Sequence, residues 1–163
     1  MKYKIWTAFI IGILMVACGP YEQQSNEEKE IRKKAIDYFA TYQQREDWKK
    51  FLSFYHPKVS FTDVALKTRT RGLEEFEAFY NWPDSNFQKI SPKQKHLELQ
   101  DLLVQDSVVV ARGHFNPFYW HGEKQEWSGG FTIWLYFDSD LKIRHQVDYI
   151  QYPASVILSA RRN

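Results

Sequence analysis

The apolar positions of this 163-residue chain change their period part-way along it. Ile31, Ala35, Tyr38, Phe39 and Tyr42 recur at steps of three and four, which marks one face of a helix ending near Arg45. Ser25 and Glu28 stand before it at capping-box spacing. Asp47 can cap a second helix in which Trp48, Phe51, Leu52 and Tyr55 share a face until Pro57 stops it. Val59-Ser60-Phe61-Thr62 alternates and predicts a short strand. After Gly72, the segment from Leu73 to Trp82 puts Phe76, Phe79 and Tyr80 on one helical face, and Pro83 closes it. From Lys93 the period becomes two. Segments 93–104, 107–116, 127–138 and 141–152 follow, separated by turn chemistry at Asp106-Ser107, from Asn116 to Lys124, and at Asp138-Ser139-Asp140. They predict a meander of long antiparallel strands that Pro153 ends, leaving a short tail. Helices first and an antiparallel sheet afterwards is the α+β arrangement, in which the sheet packs one face against segregated helices.

The first residues break this pattern. Lys2 and Lys4 precede an apolar run from Ile5 to Ala17, and Cys18, the sole cysteine, follows small Ala17. That run of 13 residues is short of the roughly 20 that a membrane-spanning helix needs. A positive start, an apolar middle and a small residue before a cut describe a secretory signal. The segment resembles a bacterial lipoprotein precursor, with Met15-Val16-Ala17-Cys18 in place of a lipobox that prefers Leu where Met15 stands. The resemblance implies a signal peptide over residues 1–17, a lipid on Cys18 and a cell-envelope location at one membrane or the other. Residues 18–26 then form a polar tether, and residues 27–163 a single domain.

Removing Lys2 and Lys4 leaves 20 basic against 20 acidic side chains, so the formal charge of +2 belongs to the leader. A balanced domain lacks the clustered Lys and Arg of nucleic-acid binders. With its one thiol acylated, it has no disulfide and no cysteine-based metal site. No histidine pair has metal-ligand spacing, and no cofactor motif is present.

The order of a helix, an Asp-Trp helix, a Tyr-His-Pro-x-Val-x-Phe-x-Asp strand, a Gly-started helix and a final Asp-Tyr strand resembles the nuclear transport factor 2-like superfamily, particularly its SnoaL-like branch. Trp48, Tyr55, His56, Val59, Phe61, Asp63, Gly72, Trp82 and Asp148-Tyr149 carry that resemblance over about residues 28–153. It implies a cone in which a curved, mostly antiparallel sheet wraps three N-terminal helices around an apolar cavity open at one end, often in a homodimer. The superfamily holds isomerases, hydrolases, dehydratases, cyclases and binding modules, so chemistry must be argued from sites.

Each enzymatic pattern is represented in part. In the ketosteroid isomerase pattern Asp63 matches the base, nine residues before Gly72, but Phe39 stands where the tyrosine belongs and Ile133 where the acid belongs. Steroid isomerisation is therefore not expected, unless Tyr38 or Tyr42 supplies the donor. Arg112-Gly113-His114 and Asp148-Tyr149 resemble the two motifs of limonene-type epoxide hydrolases, with His in place of Asp in the first. Strand alternation puts Arg112 and His114 on one face, and Gln146, Asp148, Ile150 and Tyr152 on one face. If both faces look inward, Asp148 and His114 meet as an acid–base couple beside Arg112. His96 and His114 resemble the paired histidines of scytalone-type dehydratases, with Thr41 or Ala40 where an aspartate belongs.

These considerations select Asp63, His96, Arg112, His114 and Asp148 as catalytic candidates, and Phe39, Tyr42, Ile133 and Tyr152 as cavity-lining ones. Each has a structural alternative: Asp148 paired to Arg112, Asp63 capping a turn, His56 at a helix end, and His121 and His145 on the surface. Phe115, Phe118, Tyr119, Trp120, Trp127 and Trp134 suit a flat ligand, a core or a dimer interface. Three readings follow: a lipid-anchored domain binding a small apolar molecule, an acid–base enzyme using Asp148 and His114, and an interaction domain dimerising through its sheet.

Overall fold

The protein, described by a computed structural model over residues 25–160, begins with α1 (Asn26–Gln44). The expected leader, Cys18 and most of the tether lie outside the described residues. Ser25 and Glu28 close the capping box reciprocally, each accepting a backbone N–H at 3.1 Å. The face of Ile31, Ala35, Tyr38, Phe39 and Tyr42 is buried as its period requires. Arg45 caps the helix in the left-handed conformation, φ 51°.

Asp47 caps α2 (Trp48–Ser53), whose single buried residue is Phe51. This helix is shorter than its periodicity predicts, because Tyr55 already opens β1 (Tyr55–Asp63). Pro57 thus lies within a strand. It sits in the irregular stretch between Tyr55 and Ser60 where the register with the neighbouring strand shifts, a position that tolerates a residue with no N–H. After β2 (Thr68–Arg71) comes α3 (Leu73–Tyr80), entered through Gly72 at φ 85°.

The chain continues through β3 (Phe87–Lys89), β4 (Leu97–Gln105), β5 (Val108–Phe115), β6 (Phe118–Trp120), β7 (Glu123–Gln125), β8 (Gly130–Phe137), β9 (Ile143–Ile150) and α4 (Ala154–Ala160). The main sheet runs β2-β1-β9-β8-β5-β4 and is antiparallel except for the β1/β9 pair. This is the helix-lined, mostly antiparallel α+β architecture that the sequence resemblance implies. Val109, Ala111, Phe131, Ile133, Leu135 and Ile143 project from the inner face of the sheet into a core shared with α1, α2 and α3.

Two features depart from the expected meander. The Asn116–Lys124 region is not a plain turn, since β6 and β7 form a hairpin there and pair with β3 in a second, three-stranded sheet. His121 and Gly122 make its two-residue turn, both with positive φ (50° and 78°), as the twist of a tight hairpin demands. The tail after Pro153 forms α4, which has no buried residue.

Candidate active site

A cavity of about 320 Å³ opens between α1, the inner face of the main sheet, the small sheet and α4. Tyr42, Phe79 and Tyr80 contribute helix side chains, while Phe115, Ile150 and Tyr152 come from the long strands and the end of β9. Phe87, Phe118 and Trp120 bring in the small sheet, and Val156 brings in α4. Aromatic rings dominate this wall, with a few ionisable groups among them.

Asp148 is the chief of these. It lies on β9 with 1% of its surface exposed, and it lines the cavity. The Tyr80 hydroxyl donates to Oδ2 at 2.7 Å and Gln146 Nε2 donates to Oδ1 at 2.8 Å. Gln146 is held in turn, because Tyr55 donates to its Oε1 at 2.7 Å while its Nε2 also reaches the Tyr80 oxygen at 2.6 Å. Tyr38 extends the chain, with its hydroxyl 2.9 Å from that of Tyr55. Among the described residues no lysine or arginine forms an ion pair with Asp148. Burial therefore prevails over the two donors and pushes its carboxyl up to about 7. A carboxyl poised there can both take and return a proton near neutrality. Burial likewise raises the tyrosines of the network, so their protons stay in place.

Asp63 ends β1 and is fully buried. Its Oδ2 accepts from Tyr152 at 2.6 Å and its Oδ1 from the Leu66 backbone at 2.8 Å, so it caps a turn and anchors a cavity-lining tyrosine. Burial raises its pKa as well. His96 precedes β4, and its ring packs among Phe87, Phe115 and Phe118 at centroid distances of 4.9, 5.2 and 5.5 Å. Burial, with Arg45 and then Lys89 nearby, pushes it well below the usual imidazole range, so it is neutral. Among the described residues no cluster of three His, Cys, Asp or Glu side chains is placed to hold a metal.

A family model for the SnoaL-like domain matches residues 35–145. The chain belongs to the SnoaL-like family. Among solved structures, the domain is similar to a protein described as a SnoaL-like polyketide cyclase from Shewanella putrefaciens CN-32, at 17% identity over 80% of this chain and 96% of that one, with a TM-score of 0.62. It is also similar to a protein described as a ketosteroid isomerase from Kribbella flavida DSM 17836, at 16% identity over 78% and 82% of the two chains, TM-score 0.57. TerC, co-crystallised with polyporic acid, matches at 15% identity over 82% and 98%, TM-score 0.57. No curated protein sequence matches. At such identities the likeness establishes a shared fold and leaves chemistry to the site.

In this SnoaL-like domain the expected meeting of Asp148 with His114 and Arg112 does not occur. Register pairs Ala111 with Ile133, and Ile133 with Asp148, so those three share the inner face. Arg112 and His114 are one residue out of step with Ala111 and face outward, where Arg112 Nε donates to Asp101 at 2.9 Å. The physical reason lies in Val108-Val109-Val110-Ala111: four apolar residues in succession give alternation nothing to choose between, and register alone selects the buried face. Neither a His96/His114 couple nor an Asp148–Arg112 ion pair forms. Phe39 and Ile133, expected to line the cavity, are instead closed into the core, at 1% and 0% exposure. Tyr42 and Tyr152 do line it.

His56 lies in β1, where its Nδ1 accepts from the Lys58 backbone. His145 is bonded to Ser60 across the β1/β9 pair. Sequence reasoning missed Tyr80 and Gln146 as partners of Asp148. Gln146 was legible as its same-face neighbour two residues away, whereas nothing in the sequence marks Tyr80 beyond its helical face.

Proposed function

We propose that this domain takes a small, flat, predominantly apolar molecule into the aromatic-walled cavity and exchanges a proton with it through Asp148. One observation carries the reading: a buried carboxyl with no ion-pair partner among the described residues, fixed by Tyr80 and Gln146, whose pKa is pushed up to about 7 inside a cavity. Solvated or salt-bridged carboxylates stay ionised and are weak bases at neutral pH. Membership of the SnoaL-like family supports a small-molecule role. So do the polyketide cyclase and the TerC–polyporic acid complex among proteins of the same fold.

In the step proposed, a C–H bond beside a carbonyl breaks and its proton passes to an Asp148 oxygen. The electron pair of that bond moves to the carbonyl oxygen as an enolate, and return of the proton restores Asp148. Exchange of the α-protons of 2-tetralone in D2O, followed by NMR, tests it. The wild-type protein is expected to accelerate exchange, and Asp148→Asn to lose roughly 10²-fold or more of that acceleration. Equal rates for the two proteins would remove the reading.

The outer face of the sheet favours a second role. Leu103, Val110, Trp134 and Val147 form one register row across four strands, and Leu103 and Trp134 are 69% and 37% exposed. A second copy of this domain is proposed to cover that row. Light scattering should give a dimer for the wild type and a monomer for Trp134→Glu; a wild-type monomer at micromolar concentration refutes it.

Acylation of Cys18 is proposed on the leader sequence alone. Incorporation of labelled fatty acid that Cys18→Ser abolishes would support it, and unlabelled wild-type protein would overturn it.

A further inference from the structure

Buried polar atoms without a partner are rare in native proteins, and each calls for a reason. Here Arg45 Nε, His96 Nδ1 and Trp127 Nε1 are all buried and have no partner among the described residues, and all three side chains line the same cavity. They come from the C-terminus of α1, the entry to β4 and the segment before β8, so no local motif brings them together.

Arg45 is the most unusual. Among the described residues it forms no ion pair, and Asp84 acts on it only from beyond contact range. Its guanidinium carbon lies 4.0 Å from the Phe87 ring centroid and 5.4 Å from that of Trp82, so the charge rests against two aromatic rings. Its backbone occupies the left-handed region, which glycine or asparagine would fill with less strain. Desolvation and backbone strain both oppose an arginine at this position. A planar cation with spare donors, fixed by aromatic stacking, recognises a carboxylate or another delocalised oxyanion.

We infer that Arg45, with His96 and Trp127 lining the same cavity, seats an anionic oxygen group of the ligand, so that the molecule bound here carries a carboxylate or similar oxyanion in addition to the carbonyl beside which Asp148 takes its proton. This rests on the cavity reading above and narrows it. Arg45 holds the carboxylate end, and the apolar body lies along the aromatic wall toward Asp148.

Isothermal titration of the folded protein with 2-naphthoate and with its neutral near-isostere 2-naphthamide tests the assignment. The wild type should bind naphthoate about tenfold more tightly than the amide, as expected for a charge-assisted hydrogen bond in a dry site. Arg45→Gln should bring the naphthoate affinity down to that of the amide, and Arg45→Lys should keep part of the preference. If both probes bind the wild type equally, or if Arg45→Gln keeps the preference, the anionic seat is refuted while the cavity reading stands. If neither probe binds, both fall. The wild-type comparison decides the matter even where a variant fails to fold.

Discussion

Asp63 and Asp148 are register partners across the parallel β1/β9 pair, and both carboxyls are buried, one held by Tyr152 and the other by Tyr80. Two acids side by side without a cation should not both ionise readily, and Asp63 adds to the upward push on Asp148. The donors come from different elements, so the two groups share a sheet position and not a proton network. Asp63 supports a wall residue, whereas Asp148 faces the cavity.

The pH dependence of stability follows. Asp148 has a folded-state pKa of about 7 against an ordinary 3.8, so between those values the folded chain binds the proton that the unfolded chain releases. Its contribution is full below about pH 4 and is lost as pH rises through about 7. At about 1.4 kcal/mol per pKa unit the loss is on the order of 4 kcal/mol. Thermal unfolding from pH 5 to 8 should therefore show the wild type losing stability relative to Asp148→Asn. Parallel curves for the two proteins would contradict this assignment.

Gln146→Leu removes the donor to Asp148 Oδ1 and the acceptor of Tyr55. The Gln146 hydrogen bond favours the ionised carboxylate, so its loss should move the Asp148 titration upward from about 7, followed through the side-chain carboxyl carbon by NMR. Without Gln146 Oε1 the Tyr38–Tyr55 hydroxyl pair keeps one donor that has lost its acceptor, which should cost about 1–3 kcal/mol of stability. A midpoint that stays in place would mean the amide does not tune the acid.

Proton exchange should be indifferent to the outer face. His114→Ala and Arg112→Ala are expected to retain the 2-tetralone exchange rate, since both side chains stand on the side of the sheet away from Asp148. Arg112→Ala removes only the exposed pairing with Asp101 and should lower stability by no more than about 1 kcal/mol. A large rate loss in His114→Ala would indicate a different active strand face.

Gly113 in β5 has no room for a side chain. A Cβ there would lie 2.1 Å from the Glu98 carbonyl oxygen and 2.6 Å from Phe131 Cζ. The backbone contact cannot be relieved by a rotamer change, and the bulge between Leu99 and Asp101 lies alongside. Gly113→Ala should destabilise by about 1–3 kcal/mol, seen as a lower midpoint in chemical denaturation. An unchanged midpoint would show that β4 can shift freely.

Local chemistry was legible in the sequence where a single element decides it. The capping box at Ser25 and Glu28, the buried face of α1 and the inward set Gln146, Asp148 and Ile150 of β9 follow from period and spacing. The small sheet was less visible, because its strands are three residues long and β3 pairs with β6 across a long stretch of chain. Even so, Phe118-Tyr119-Trp120-His121-Gly122 holds a hairpin signal, since its His-Gly pair suits a two-residue turn.

The sequence by itself determined the α+β arrangement, the capped start of α1 and the inward face of β9 that carries Asp148, because periodicity and capping act between residues close along the chain. Only the tertiary structure decided which face of β5 is buried, that Tyr80 and Gln146 hold Asp148, and that Arg45, His96 and Trp127 converge on one cavity. Those relations depend on strand register and on packing between distant segments, and the apolar run Val108–Ala111 satisfies either choice of face until its neighbours select one.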